Sequence, residues 1–422
     1  MKRRCKHIEI TDRDFVKGCI GTYLCNHSGR KAKRHDIVAL FDKYKDVDGI
    51  ADCLIEGIKT RRLDLKPIRM IERVDRGSNK RREIGLEDAK QQLYDQICVE
   101  ALTEAAKCIG EYQCTCLRNQ PKRIYHKKTH EYLRTVMKGR GQAWAKDAIY
   151  GWLQDPDVNY AVQMDIYHNY ASVDHHKLIR LLERKIKNEP LMWLLKELLK
   201  TVPQEDPDHP KGLIIGSTLS ISLDAIYLSQ LYHHMMEDAV KIRQKRDGAI
   251  ERARLCRHML LWMDDINIFC TSEKNAKAAA KEVIDYCAKL GLKIKPDWRI
   301  INFKKSTTDR NQMRHQNYID AVGFRIYRNK VTLRRRVYLA IRKAFKHDVH
   351  NEADARKIVS YKGPLMESNS YRFRKKYHCK RILRKARRYI SSHDKSKIRQ
   401  KAAGSHIQAD GRRSDLCADM SA

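Results

Sequence analysis

Asp264 and Asp265 stand side by side in LLWMDDINIF, residues 260–269, between two short apolar runs. Adjacent anions repel, and neighbours such as Leu260, Trp262, Ile266 and Phe269 belong in an interior where unpaired charge is costly. Two arrangements compensate the pair. One is an exposed hairpin tip, with strands on either side of a two-residue polar connection. The other is a divalent cation, which needs a further carboxylate from elsewhere in the chain. Asp165 is a candidate, lying among the alternating Val162, Met164 and Ile166 of NYAVQMDIYHNY, 99 residues before Asp264. By itself it reads equally well as a capping or salt-bridged residue. Hard cations such as Mg²⁺ take oxygen ligands and keep several waters, so two or three carboxylates plus substrate phosphates suffice. Two such ions, ~4 Å apart, activate an attacking 3′-hydroxyl and stabilise a leaving pyrophosphate in an in-line displacement.

The elements that would position these carboxylates can be read from the pattern. Asp165 falls on a strand, and DHHKLIRLLERKI after it is a helix, with Asp174 at the N-cap and Leu178, Leu181 and Leu182 on one face. A helix fits PLMWLLKELLK, and a polar loop containing Pro203 and Pro207 follows. STLSISLDAIYLSQLYHHM is helical by Leu219, Leu223, Ile226 and Tyr227, starting just past Gly216. After the Asp-Asp hairpin, Ser272 caps a helix that Gly291 stops. YIDAVGFRIYRNKVTL is a strand pair, and RMIERVDRGSNKRREIGL reads as two strands around Arg76–Asn79. EDAKQQLYDQICVEALTEAAK suits an amphipathic helix, and residues 1–60 read as basic and helical.

Composition bounds the partners. The 422 residues are 42% hydrophobic, enough for a sizeable core, and 87 Lys and Arg against 52 Asp and Glu leave a charge of +35. Such an excess points to a polyanion, most simply nucleic acid. No apolar run approaches the ~20 residues of a spanning helix, and the first residues lack the apolar core of a signal peptide, so a soluble, cytoplasmic protein is expected. The 13 cysteines are scattered and read as reduced, buried residues; Cys114 and Cys116 lack zinc-ribbon spacing, although a Cys/His zinc site stays open among 18 His. Residues 334–401 hold 23 Lys and Arg against 5 Asp and Glu, and residues 401–422 read as a disordered tail.

The order strand-Asp, helix, loop, helix, Asp-Asp hairpin, helix resembles the palm of reverse transcriptases. MDIYHNYASVDHHKL looks like their first catalytic motif, KGLIIGSTLSISLDAIYLSQLYHHM like the loop and helix after it, and LLWMDDINIF like their aromatic-X-Asp-Asp signature. LGLKIKP and AVGFRIY are similar to the strand and primer-gripping hairpin beyond. The resemblance implies an α+β, right-hand polymerase architecture, with fingers, a palm of antiparallel sheet and helices, and a basic helical thumb. The boundaries it implies are a basic helical extension at 1–60, fingers at 61–160, palm at 161–333 with an insertion at about 186–212, and thumb at 334–400. It makes Asp165, Asp264 and Asp265 the catalytic, metal-binding carboxylates, joined by the carbonyl of Ile166, around two Mg²⁺ ions that Mn²⁺ can replace. It places Lys80, Arg82, Tyr170, Ile215, Gly216 and Met263 around the incoming dNTP. Tyr170 would pack under the sugar and clash with a 2′-hydroxyl, the plain alternative being a core aromatic, and for Lys80 and Arg82 a solvated charge run. Gly323, Phe324, Arg372, Arg374, Lys375 and Lys376 would meet the primer and template.

Most of the family carry Pro-Gln-Gly and Ser-Pro where this chain has Ile214-Ile215-Gly216 and Ser220-Ile221. Ile-Gly, three residues, then Ser is characteristic of reverse transcriptases from diversity-generating retroelements, phage and bacterial systems that copy a template RNA with errors at adenines. Against that branch, Ile221 stands where it usually has Gln, and Trp262 where it has Tyr. The branch implies a small basic accessory protein, a pentameric helical barrel, besides template RNA, cDNA and dNTPs, with no membrane. The alternatives are a defence-associated or intron-type enzyme of the same fold, and an RNA-binding scaffold with an inactive polymerase fold.

Overall fold

A computed structural model describes residues 4–27, 34–74, 81–113, 122–126, 131–135, 141–244, 247–304, 306–308, 314–347 and 349–403. Lys80, Cys114, Cys116 and residues 404–422 lie outside them, whereas 401–403 complete the last helix.

Three helices begin the chain: α1 (Arg13–Asn26), α2 (His35–Tyr44) and α3 (Val47–Lys59). Asp12 and Asp46 cap α1 and α3 by accepting from the amides of Phe15 and Gly49, both at 2.8 Å. A ribbon of β1 (Arg69–Val74) and β2 (Arg81–Leu86) leads to α4 (Ala89–Ala101), which Asp88 caps. A second ribbon, β3 (Lys122–His126) with β4 (Glu131–Thr135), precedes α5 (Gln142–Gln154).

The central sheet comes from β5 (Tyr160–Tyr167), β8 (His258–Trp262), β9 (Asp265–Cys270), β10 (Lys293–Ile294) and β11 (Arg299–Asn302). Between β5 and β8 run α6 (Asn169–Ser172), α7 (His175–Lys185), α8 (Glu189–Lys200), α9 (Thr218–His233) and a ribbon of β6 (Val240–Gln244) and β7 (Ile250–Arg254). The sheet is antiparallel in the order β10-β5-β9-β8, with β11 also on β5. Period-two alternation decides its faces. Val162, Met164, Ile166, Ile266, Ile268, Met259 and Leu261 enter the main core with α9 and α10 (Glu273–Leu290). Ala161, Leu260 and Phe269 join α5 and a second core on the opposite face.

That second core is closed by a small sheet of β14 (Ile319–Ala321), β15 (Phe324–Ile326) and β16 (Val331–Leu333), beyond a ribbon of β12 (Ser306–Thr308) and β13 (Arg314–Gln316). The rest of the described chain is helical: α11 (Arg335–Lys346), α12 (Glu352–Ser360), α13 (Lys362–Met366), α14 (Tyr371–Lys376) and α15 (Cys379–Ala403). These helices share a third core around Ile341, Phe345, Ile358 and Leu365. Lys146 on α5 ties the unit to the second core through Glu367 at 2.6 Å. The single basic helix expected over 372–385 is instead two, broken at Tyr377 and His378, where His378 has a φ of 46°. A left-handed residue cannot continue a helix, and no Gly or Pro marks the position.

Candidate active site

β5 and β9 pair so that Asp165 lies directly opposite Asp265, while Trp262 pairs with Asp265 from the other side. The hairpin connection is therefore Met263-Asp264 rather than the Asp-Asp tip expected, and Asp265 opens β9. Met263 carries the turn at a φ of 55°, a conformation a non-glycine side chain adopts at a cost. The Ile166 amide donates to the Asp264 carbonyl at 3.2 Å, which holds the turn against the end of β5. Because Val162, Met164 and Ile166 face the helices, Asp165 shares the opposite face with Asp265. The Ile166 side chain is buried, so only its backbone is available to the site.

Like charges directly across a strand pair are unfavourable, and the half-buried carboxylates register it. Burial, then the charges of Asp264 and Asp165, push Asp265 up to about 7. Asp264 is raised by burial and by Asp165, with Lys295 and Arg82 opposing. Lys295 on the segment after β10 forms an ion pair with Asp165, and its amide donates to the Asp165 carbonyl at 2.9 Å. The site thus holds three carboxylates and one directly bound cation, and the charges of Arg82 and Arg334 reach Asp264 and Asp265 respectively. The donor set is oxygen only, which suits Mg²⁺ or Mn²⁺ and not a soft metal. Among the described residues no group of three His, Cys, Asp or Glu side chains is placed to hold a metal ion, and Asp165 pairs with Lys295.

Backbone hydrogen bonds link the segments that carry the nucleotide-side candidates. The Leu213 amide donates to the Tyr170 carbonyl at 2.8 Å, and the Gly85 amide to the Ile215 carbonyl at 3.2 Å. The loop bearing Ile215 and Gly216 is thereby strung between α6, just after Asp165, and β2, which carries Arg82. Arg82 is exposed, and its charge reaches Asp264. Tyr170 is half-buried against the main core. Gly216 adopts a φ of 114°, and a Cβ there would meet Ile84 Cγ2 at 3.1 Å, so the position requires glycine.

The primer-side candidates lie on the small sheet and on α14. Val322 and Gly323, with φ of 47° and 83°, form the β14–β15 turn. Phe324 is 1% exposed in the second core, so it has only backbone to offer a primer. Arg372, Lys375 and Lys376 are exposed on α14, whereas Arg374 is half-buried and its Nη1 donates to the Met366 sulfur at 3.0 Å.

A lone buried acid and a buried acid pair have no counterpart in the sequence reading. Asp224 on α9 accepts from Asn169 Nδ2 at 2.7 Å, and burial, opposed by that bond, pushes it up to about 7. Its signal was a lone acid in the apolar run SLDAIYL. Glu87 and Asp95 lie together behind the Gly216 loop, both raised by burial, and the Ser217 hydroxyl donates to Asp95 at 2.5 Å. An acid raised in the folded state contributes stability that is full at low pH and lost as pH rises through the folded value. Asp224→Asn is expected to gain on wild type between about pH 5 and about pH 8, by up to about 1.4 kcal/mol per unit while wild type titrates. Chemical denaturation at both pH values measures this, and an unchanged difference would remove Asp224 from the groups that titrate on unfolding.

Residues 75–301 match the family described as reverse transcriptase (RNA-dependent DNA polymerase). The chain belongs to that family. The match encloses the three carboxylates, Arg82, Tyr170, Ile215, Gly216 and Met263, while Gly323, Phe324 and the basic helices lie beyond it. No curated protein matches the sequence. Similar solved structures include a chain described as "RdRp complex", at 11% identity and a TM-score of 0.42, over 83% of this chain and 30% of that one. No described helix is long and apolar enough to cross a membrane.

Proposed function

We propose that the protein is an RNA-directed DNA polymerase that extends a primer along a template RNA with dNTPs, working in the cytoplasm. The observation that carries this is the register of Asp165 opposite Asp265 with Asp264 in the adjoining turn, inside the family match. In this reading the central sheet and its helices form the palm, the β1–β2 ribbon and α4 belong to the fingers, and α11–α15 form the thumb. Asp165, Asp264, Asp265 and the Ile166 carbonyl would hold Mg²⁺, which would supply Lewis acidity for the transfer. Lys295 holds Asp165 in place and offsets its charge. Arg82 draws the triphosphate toward the carboxylates, and Tyr170 supports the sugar. Nucleic-acid phosphates meet the exposed cations of α14, which makes affinity fall steeply with salt.

The retroelement branch is the finer reading, supported by Ile215. At that position Gln can hydrogen-bond around the incoming nucleotide, whereas Ile contributes shape alone, and a lost polar contact relaxes base choice by about tenfold per 1.4 kcal/mol. A small basic pentameric accessory protein would then assist it. The test is sequencing cDNA made on a primed RNA with any small basic protein encoded beside this one. Errors concentrated opposite template adenines and reduced in Ile215→Gln are expected. Adenine fidelity equal to that at other bases would remove the branch and keep the polymerase.

A further inference from the structure

A cleft of about 590 Å³ opens between β16, α11 and α14, lined by none of the three carboxylates. Its walls carry the cations Arg342, Arg372 and Lys376 and the rings of Tyr338, Phe373 and Tyr377, and no acidic residue lines it. The rings are fixed by one another. Tyr338 meets Phe373 edge-on at 5.5 Å, Phe373 lies 4.6 Å from Tyr377, and Phe345 in the third core backs Phe373 at 6.4 Å. Arg342 is aimed by donating from Nε to the Tyr377 hydroxyl at 3.2 Å. The uncharged polar groups of the lining are engaged by the protein itself. Asn369 accepts from the Val331 amide at 2.7 Å, and the Ser368 and Ser370 hydroxyls donate to the carbonyls of Pro364 and Leu365.

Three cations sharing a concave wall without an acid call for an anion, and a phosphodiester is the anion the +35 chain is built to meet. The rings narrow the choice. A duplex keeps its bases stacked inside and would engage the cations while leaving the aromatic wall unused; an unpaired nucleotide engages both. Tyr338, at 39% exposure, has ring surface to offer. We propose that this cleft binds one unpaired nucleotide of a single-stranded nucleic acid, with its phosphate on Arg342, Arg372 and Lys376 and its base stacked on Tyr338. Which strand arrives there rests on the polymerase reading, whereas the site itself rests on its cations and rings.

The test is fluorescence anisotropy of the full chain with labelled tetraadenylate, with the same oligonucleotide carrying one abasic residue, and with an RNA/DNA duplex. Tyr338→Ser is expected to weaken tetraadenylate binding by about tenfold, the stacking of one base, to leave the duplex within about twofold, and to abolish the difference between intact and abasic probes. Tyr338→Phe should restore that difference, which a merely structural ring would not produce, and Arg342→Gln should weaken both single strands alike. Tighter binding of the ribo form would assign the template strand, and tighter binding of the deoxy form the cDNA. Equal binding of intact and abasic probes by wild type, or an equal loss of duplex and tetraadenylate in Tyr338→Ser, would overturn the site. Primer extension by the same preparation separates the two readings: extension without base-dependent binding removes only the site, and base-dependent binding without extension removes only the polymerase.

Discussion

Asp264→Asn is expected to lower primer extension by a factor on the order of 10³ while the protein stays folded. Charge stabilisation by a held divalent ion is worth several kcal/mol, and each 1.36 kcal/mol is a decade in rate. The substitution preserves shape, and the Asp264 carbonyl still accepts from Ile166, so the β8–β9 turn should keep its place. Its effect on stability runs the other way. Asp264 is an anion raised by burial and by Asp165, so the amide relieves repulsion that the folded chain bears without metal. Melting in chelator should therefore show the variant at least as stable as wild type, and Mg²⁺ should stabilise wild type more than the variant. Undiminished extension, or a lower melting temperature in chelator, would detach Asp264 from the role assigned to it.

Tyr170→Ala is expected to raise incorporation of ribonucleotides relative to deoxynucleotides by about ten- to a hundredfold. A pocket wall that excludes one small group discriminates on that scale. Tyr170 follows the end of β5, which carries Asp165, and its carbonyl accepts from the Leu213 amide at 2.8 Å, which ties its backbone to the loop of Ile215. Its packing on the main core gives a competing outcome, because truncating a core aromatic costs about 3–5 kcal/mol. Steady-state constants for matched rNTP and dNTP pairs separate the two. A fall in the rNTP KM alone identifies a sugar gate, and Tyr170→Phe should retain discrimination. A lower melting temperature with an unchanged rNTP/dNTP ratio would make Tyr170 a core residue only.

The centre of the sheet was readable because Val162, Met164 and Ile166 alternate around Asp165, two apolar runs flank Asp264-Asp265, and the helices announce their ends. Asp174 caps α7, Ser272 caps α10, and Gly291 stops α10 at a φ of 83°. What the sequence hid depends on contacts between distant segments. Lys295 sits in LGLKIKP with nothing to say that this segment would run beside β5 and reach Asp165. Met263 gave no turn signal, so the hairpin tip appeared to be the two acids; pairing with Asp165 sets the register instead. The β6–β7 ribbon was silent because Ile242 and Ile250 are 66% and 70% exposed, which leaves no buried face to produce alternation. Phe324 looked like part of a primer-facing motif, yet its ring fills the core beneath the small sheet. The break between α14 and α15 falls at Tyr377 and His378, between two basic stretches, with no Gly or Pro to signal the helix end.

The most direct test of the account is primer extension by the purified protein on an RNA template with dNTPs and Mg²⁺, beside an identical reaction with Asp264→Asn. The account predicts dNTP-dependent cDNA from wild type and none above background from the variant. Tight RNA binding by both proteins with no extension by either would contradict it, leaving an RNA-binding scaffold in which Asp264 and Asp265 serve only a hairpin.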